Sequence, residues 1–306
     1  MKVCIVGCGA IGSLFAAHLA QVDDVEVWAY DVVAPRVDAI NRDGLKLIGE
    51  ADITGRVRAT TDAAELPACD FGIVATKSMY TRSAIEASAH AFADGAVASV
   101  QNGVGNEEVI AEHVERVIRG TTFPAGHVTE PGIVHMDTRG DTWLGPFEPR
   151  PASMDAVTQL AEAITAGGMN CKALADARGA QWTKLIFNAA TNPLGALTRL
   201  THGRLCELPE TRRLITQLVD EGKAVAGALG ITLDSDPDEL VDHAAEVAYE
   251  HRASMLQDVL ARRQTEVDAM NGGIATFGRQ QGIATPLNVA IAALIKGLEY
   301  SWRQPE

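Results

Sequence analysis

Residues 1–12, MKVCIVGCGAIG, determine the predicted fold of the N-terminal half of this chain. The apolar run at residues 3–6 is short, rich in β-branched side chains and closed by glycine, which is typical of a buried parallel strand. Gly7, Gly9 and Gly12 follow with the spacing GxGxxG, and an apolar stretch with helical periodicity comes directly after them. This order of strand, glycine turn and helix predicts a dinucleotide-binding unit.

Each position of the glycine turn has a physical role in binding a dinucleotide. Gly7 lets the chain turn sharply off the strand, Gly9 lets the backbone approach a pyrophosphate, and Gly12 lets the helix pack closely on the sheet. The start of the helix presents free N–H groups and the positive end of its dipole to the phosphates. The predicted cofactor-binding turn comprises Gly7, Gly9, Ala10, Ile11 and Gly12. The alternative is a strand, turn and helix that bind nothing.

A carboxylate follows the second predicted strand. Residues 25–30 form another apolar run, and Asp31 comes directly after it, 19 residues past Gly12. At this distance a carboxylate can accept a hydrogen bond from the 2′-hydroxyl of an adenosine ribose. It would repel a 2′-phosphate, so NADH is the predicted cofactor, and NADPH is the alternative if Arg36 reaches that phosphate. The structural alternative for Asp31 is a cap on the next segment.

Composition and charge limit the classes of protein that this chain can represent. The 306 residues predict two domains, and 26 basic against 40 acidic residues give a net charge of −14, which argues against a nucleic-acid or anionic-membrane surface. No apolar run approaches the ~20 residues of a membrane span, and a first strand at residue 2 leaves no room for a signal peptide. The five cysteines show no CxxC and no histidine at ligand spacing. We therefore predict no metal site and a reduced, cytoplasmic protein.

Strand and helix signals alternate along the first part of the chain. This rhythm predicts an α/β, Rossmann-type dinucleotide-binding domain with a mostly parallel sheet over residues 1–175. Short β-prone pieces in residues 121–147 predict antiparallel hairpins that complete the sheet. Ligands bind beyond the carboxyl ends of such strands, where Lys77 and Asn102 join the residues already named.

Residues 176–306 predict an all-α substrate and catalytic domain, because prolines and glycines divide a helical pattern there. Its apolar character is compatible with a homodimer. The predicted helices are 181–192, ended by Pro193, then 209–229, 237–263, 264–281 and 286–302.

Two polar patterns interrupt the apolar helices of this domain. Lys184, Asn188 and Asn192 recur every four residues and so line one helix face. The structural alternative is a lysine that extends to solvent beside asparagines that cap neighbouring helices. Ser254 and Glu266 lie among apolar residues further on, where the alternative is an amphipathic helix with a solvated acidic face. A buried glutamate beside a buried lysine would tune both groups for proton transfer near neutral pH.

Together these motifs resemble the ketopantoate reductase (2-dehydropantoate 2-reductase) family along essentially the whole chain. The family pattern combines GxGxxG, a lysine after the third strand, a QNG turn, a W-x-K-L-x-x-N helix and an S-M-x-x-D…E-x-D-x-x-x-G segment. These elements stand here at residues 7–12, Lys77, 101–103, 182–188 and 254–272.

The resemblance implies hydride transfer between a nicotinamide cofactor and a small 2-oxo or 2-hydroxy acid. Lys184 matches the proton donor to the developing alkoxide, and Glu266 matches the carboxylate that positions this lysine or a substrate hydroxyl. The groups that hold the nicotinamide ribose, the substrate and its carboxylate match Asn102, Asn188, Asn192 and Ser254.

Two departures from the family pattern leave alternatives open. Family members commonly use NADPH, with a basic residue where this chain has Asp31, and His251 stands where a polar amide in contact with substrate is expected. One alternative is a catabolic NAD-dependent dehydrogenase of another branched or aromatic 2-hydroxy acid on the same scaffold. Another is a non-catalytic nucleotide-sensing protein, against which the joint presence of Lys184, Asn188 and Glu266 argues.

Overall fold

The computed structural model describes residues 1–303, which divide into two units. Residues 1–101 and 106–177 form the first unit, and residues 102–105 join those from 178 onward in the second. Residues 102–105 thus belong with a part of the chain that lies more than seventy residues further on.

The first unit contains twelve strands and five α-helices. The strands are β1 (Lys2–Val6), β2 (Glu26–Tyr30), β3 (Leu45–Gly49), β4 (Ile53–Gly55), β5 (Arg58–Thr60), β6 (Phe71–Val74), β7 (Ala96–Ser99), β8 (Val117–Thr122), β9 (Ala125–Glu130), β10 (Ile133–Thr138), β11 (Asp141–Pro146) and β12 (Asn170–Ala173). The helices are α1 (Ala10–Leu19), α2 (Ala34–Asp43), α3 (Thr81–Ser88), α4 (Asn106–Ala111) and α5 (Met154–Ala166).

An eight-stranded sheet forms the centre of this unit, in the order β12-β11-β8-β7-β6-β1-β2-β5. β1 pairs in parallel with β2 on one side and β6 on the other. Val3 and Ile5 pack into one hydrophobic cluster while Cys4 and Val6 pack into another, because alternate side chains point to opposite faces of a strand. A continuous apolar run is what a strand covered on both faces requires, and the predicted Rossmann-type class is confirmed.

The prediction that residues 121–147 complete the main sheet is only partly right. β11 does join it, antiparallel to β8. β9 and β10 instead form a separate four-stranded sheet with β3 and β4, in the order β4-β3-β10-β9. Val134 and Met136 alternate along β10 and are buried in the cluster that contains Phe15 of α1, so packing on that helix determines where these strands lie.

The second unit is helical, as predicted. Its core is a cluster in which Ile186, Val219, Ile274 and Ile295 are fully buried, each from a different helix. Among the described residues, no helix combines the length and the apolar character that crossing a membrane requires. The helices are α6 (Arg178–Thr198), α7 (His202–Glu207), α8 (Pro209–Ala228), α9 (Pro237–Val247), α10 (Ser254–Leu260), α11 (Asn271–Gln281) and α12 (Pro286–Ser301).

Two of the predicted helices are shorter than expected. Residues 237–263 form α9 and α10 with a break between them, because the backbone carbonyls of Tyr249 and His251 accept hydrogen bonds from the N–H groups of Gly203 and His202. Residues 264–270 precede α11 without joining it, and both the N–H and the hydroxyl of Thr265 donate to a carboxylate oxygen of Glu299. Tertiary hydrogen bonds replace the helical ones in both places.

The prediction that Pro193 ends its helix is wrong. α6 continues through Pro193 to Thr198. A proline inside a helix removes one N–H donor and leaves the carbonyl four residues earlier without its partner. Here that carbonyl belongs to Ala189, and the side-chain amide of Asn271 donates to it at 2.8 Å.

Candidate active site

The glycine turn has the geometry that its three glycines predict. Gly7 has a φ of +93°, and its N–H donates to the carbonyl of Tyr30 at 2.8 Å. A Cβ at Gly12 would lie 1.9 Å from the carbonyl oxygen of Gly7, so only glycine allows α1 to pack this closely. A Cβ at Gly9 would meet nothing within 4 Å. The backbone at Gly9, the N-cap of α1, therefore faces open space, which fits the approach of a pyrophosphate.

The two glycines give a matched pair of substitutions. Gly12→Ala should destabilise the fold by about 1–3 kcal/mol and weaken dinucleotide binding, because the clash is with backbone and α1 must move. Gly9→Ala should leave the melting temperature near that of the wild type and still weaken dinucleotide binding, because its methyl group occupies only the space for the phosphates. Thermal unfolding and calorimetric titration with NADH measure the two effects. Unchanged NADH affinity in Gly9→Ala would contradict this assignment of the turn.

Asp31 is buried, at 6% exposure, and its carboxylate is already engaged by the protein. Its oxygens accept hydrogen bonds from the N–H groups of Cys8 and Val33 at 2.8 and 2.9 Å. The guanidinium of Arg36 lies 2.5 Å from Oδ2. Asp31 thus joins the glycine turn to the start of α2 and also holds Arg36, whereas sequence reasoning treated the aspartate and the arginine as separate options.

Lys77 and Asn102 follow strands β6 and β7, but the structure assigns them to different units. Lys77 is partly buried and precedes a short 3₁₀ turn at the end of β6. Asn102 belongs to the second unit with Gly103, where a Cβ would lie 2.5 Å from the carbonyl oxygen of Ala269. The N–H of Val104 donates to that same carbonyl at 3.0 Å. Gly103 and Val104 therefore contact the segment that carries Glu266.

A hydrogen-bonded chain connects Lys184, Asn102 and Glu266 within the second unit. Lys184 Nζ donates to Asn102 Oδ1 at 2.9 Å, and Asn102 Nδ2 donates to Glu266 Oε2 at 3.3 Å. Burial lowers the pKa of Lys184 to about 8, and the negative charge of Glu266 opposes this shift. A lysine with this pKa is mostly protonated near neutral pH and gives up its proton readily, as a general acid must.

The remaining predicted substrate residues lie around the same helix. Asn188 and Asn192 are buried on α6, at 8% and 4% exposure, and Asn192 Oδ1 accepts a hydrogen bond from Thr191 Oγ1 at 3.4 Å. Ser254 is exposed and is the first residue of α10, which packs against α6. The polar face of α6 is thus an interior feature at both asparagines.

The sequence did not reveal a ring cluster formed by Phe187, His202 and His251. The imidazole of His202 lies 5.6 Å from the ring of Phe187 and 5.4 Å from that of His251, between ring centroids. Burial, and then the neighbouring His251, lowers the pKa of His202 to about 4. These residues come from α6, α7 and the break before α10, so no local sequence pattern connects them.

A second cluster that the sequence did not reveal lies on the four-stranded sheet. His127 and His135 face each other across β9 and β10, and one carboxylate oxygen of Asp137 lies 3.0 Å from His127 Nδ1 and 2.9 Å from His135 Nδ1. The three groups have donor atoms within 4.8 Å of one another, a spacing that a metal ion could use. Because the carboxylate accepts from both imidazoles, the cluster is satisfied without one.

Comparison with known proteins places this architecture in a family. Residues 3–149 match the family model described as "Ketopantoate reductase PanE/ApbA", and residues 176–299 match "Ketopantoate reductase PanE/ApbA C terminal". The chain belongs to the ketopantoate reductase family. Membership confirms the resemblance that the motifs indicated and the predicted class of enzyme, an NAD(P)-dependent oxidoreductase.

Individual members of the family and solved structures agree with this assignment. The 2-dehydropantoate 2-reductase of Pyrococcus abyssi is 33% identical to this chain, over 98% of each protein. The crystal structure of a PanE/ApbA family ketopantoate reductase from Ralstonia eutropha JMP134 has a TM-score of 0.89 and 31% identity, and the match covers 99% of this chain and 100% of that one. A structure of D-mandelate dehydrogenase with NADH and anilino(oxo)acetate also has a TM-score of 0.89, at 25% identity over 99% and 100% of the two chains.

Proposed function

We propose that this protein reduces the keto group of a small 2-oxo acid with a nicotinamide dinucleotide and that Lys184 supplies the proton. The observation that carries the proposal is the hydrogen-bonded chain from Lys184 through Asn102 to Glu266, with the lysine pKa lowered to about 8. In this proposal residues 1–175 bind the dinucleotide and residues 176–306 bind the substrate.

The residues of this chain have distinct roles in the proposed reaction. A reduced nicotinamide, held by the residues of the first unit, would supply the hydride that the keto carbon accepts, with the carbonyl electron pair left on the keto oxygen. Lys184 Nζ transfers its proton to that oxygen, so that a 2-hydroxy acid and a neutral amine result, and a proton from water restores the ammonium. Glu266 favours the charged ammonium before the transfer and, through Asn102, keeps Nζ in place. The amide groups of Asn188 and Asn192 and the hydroxyl group of Ser254 are assigned to bind the substrate carboxylate. These groups donate hydrogen bonds and are not strong bases.

The dinucleotide in this proposal lies on the glycine turn, with Lys77 beside the end of β6. The open space at Gly9 and the buried carboxylate of Asp31 support this placement. NADH is the preferred cofactor in the proposal, because the carboxylate of Asp31 holds Arg36 and carries a charge of the same sign as a 2′-phosphate. The structural relative D-mandelate dehydrogenase, solved with NADH, supports the same preference.

Asp31→Asn should shift the cofactor preference towards NADPH by about tenfold or more, because removal of the charge ends the repulsion and frees Arg36 to meet the 2′-phosphate. The asparagine oxygen can still accept from the N–H of Cys8, so the turn is retained. Arg36→Ala added to this variant should cancel the gain in NADPH affinity. Titration of both cofactors against the three proteins gives the result, and tighter NADPH binding by the wild type would contradict the prediction.

The proposed activity is tested with a panel of 2-oxo acids, including 2-dehydropantoate and aromatic members, assayed with NADH and with NADPH. We expect cofactor-dependent reduction of at least one acid, with the branched acid 2-dehydropantoate among the best. Binding of the dinucleotide without turnover of any member would instead support a nucleotide-sensing protein.

An aromatic 2-oxo or 2-hydroxy acid is the second candidate substrate. The observation in its favour is the ring cluster of Phe187, His202 and His251, in which Phe187 directly precedes Asn188 in the sequence. One of the structural relatives of this chain, D-mandelate dehydrogenase, was solved with anilino(oxo)acetate. The wild type would then turn over an aromatic acid preferentially. His251→Ala would lose turnover of the aromatic acid and retain turnover of 2-dehydropantoate.

A further inference from the structure

Pro193 interrupts the backbone hydrogen bonding of α6, the helix that carries Lys184. Because proline has no N–H, the carbonyl of Ala189 has no helical donor. Ala189 is 1% exposed, so water does not replace that donor, and an unpaired buried carbonyl is costly. The partner must come from another element.

The partner is the side chain of Asn271, the first residue of α11. Asn271 is fully buried, and its Nδ2 donates to Ala189 O at 2.8 Å and to Asn288 Oδ1 at 3.0 Å. Asn288 Nδ2 in turn donates to a carboxylate oxygen of Glu221 at 2.8 Å, and the N–H groups of Leu287 and Asn288 donate to the same carboxylate. A polar network, buried at Asn271 and Asn288 and partly buried at Glu221, thus joins α6, α8, α11 and α12. Within the described residues, Asn271 Oδ1 is buried without a hydrogen-bond partner. The side chain therefore takes part in the network only through the two bonds that its Nδ2 donates.

Both ends of the bond between Asn271 and Ala189 lie next to residues of the proposed site. Ala189 directly follows Asn188 and stands five positions after Lys184. Asn271 stands five positions after Glu266, and the two are linked by a short turn in which the carbonyl of Glu266 accepts from two successive backbone N–H groups at 3.0 and 3.1 Å. The bond therefore ties the segment of Glu266 to the helix of Lys184.

We propose that Asn271 is a positioning residue, which uses the carbonyl released by Pro193 to hold Glu266 in its place relative to Lys184. This inference rests on the proposed function, since it concerns the geometry of the Lys184, Asn102 and Glu266 chain. If Asn271 only satisfied the unpaired carbonyl of Ala189, its replacement would not affect catalysis by Lys184 once that carbonyl had another hydrogen-bond donor.

Pro193→Ala supplies the missing donor and so separates the two roles. An alanine N–H at this position can bond to the carbonyl of Ala189 within the helix, whether or not Asn271 is present. Pro193→Ala alone is the control and should keep kcat within about twofold of the wild type. Asn271→Ala should lower both the melting temperature and kcat.

The double variant Pro193→Ala/Asn271→Ala decides between the roles. We expect it to regain part of the melting temperature that Asn271→Ala loses. Its kcat should remain about tenfold below that of Pro193→Ala. The alkaline limb of its kcat profile should lie at lower pH than that of Pro193→Ala. The limb moves in this direction because a more distant Glu266 supports the charged lysine less. Recovery of both kcat and the pH profile would overturn the proposal and leave Asn271 with a structural role only.

The single variant Asn271→Ala is not essential to the test. If it does not fold, the effect of removing Asn271 is measured by comparing the double variant with Pro193→Ala. A failure of the proposed function is recognised separately, because the wild type would then reduce no 2-oxo acid or Lys184→Ala would retain turnover, whatever the result at Asn271.

Discussion

Replacement of Lys184 by alanine is expected to lower kcat by about 10²–10⁴-fold, the usual loss when a general acid is removed. Affinity for NADH should stay near that of the wild type, because the dinucleotide is assigned to other residues. Steady-state kinetics with the best 2-oxo acid, together with calorimetric titration of NADH, measure the two quantities.

Lys296 offers a matched control for this substitution. It is also a lysine of the second unit, bonded to a carboxylate of Asp268 at 2.9 Å, but its side chain is 56% exposed. Lys296→Ala should therefore change kcat by less than about twofold. Near-normal turnover in Lys184→Ala would show that the lysine is structural, and the proposed mechanism would be wrong.

Replacement of Glu266 by glutamine should move the alkaline limb of the kcat profile to lower pH. The wild-type limb is expected near pH 8, because the general acid must be protonated and kcat falls as pH rises through the pKa of Lys184, about 8. Glu266 raises that pKa, so removal of its charge lowers it. Glutamine retains the shape and an oxygen that can accept from Asn102 Nδ2, so the fold should be unaffected. A limb that stays in place would show that the carboxylate does not act on the lysine.

A double-mutant cycle then measures how far Lys184 and Glu266 act as one unit. Glu266→Ala should cost about 10–10³-fold in kcat in the wild-type background and much less in the Lys184→Ala background, because groups that act together are not additive. Fully multiplicative losses in the cycle would show that the two residues act independently.

Local sequence patterns predicted those elements of the first unit that depend on one short segment of the chain. The apolar run at residues 3–6, predicted as a buried parallel strand, lies in β1, Lys2–Val6. The order of the four-stranded sheet was not predicted, because β10 pairs with β3, about ninety residues earlier. A period of two identifies a strand but says nothing about its neighbour.

Helix ends in the second unit show the same limit. Pro193 signals a helix end by its chemistry, but α6 continues, and the carbonyl of Ala189 receives its donor from Asn271, 82 positions further along the sequence. The break between α9 and α10 likewise depends on backbone bonds from Gly203 and His202. Propensity is a weak predictor wherever a distant group supplies or takes a hydrogen bond.

The glycine turn could be predicted from the sequence, because the clash of a Cβ at Gly12 with the carbonyl of Gly7 involves residues only five positions apart. It also predicted the chemical groups of the proposed site. How those groups meet depends on the folded chain, because Asn102 accepts a hydrogen bond from Lys184 across 82 positions and donates one to Glu266 across 164. The pKa of Lys184 depends on burial and on that distant carboxylate, and neither property is encoded in the residues next to it.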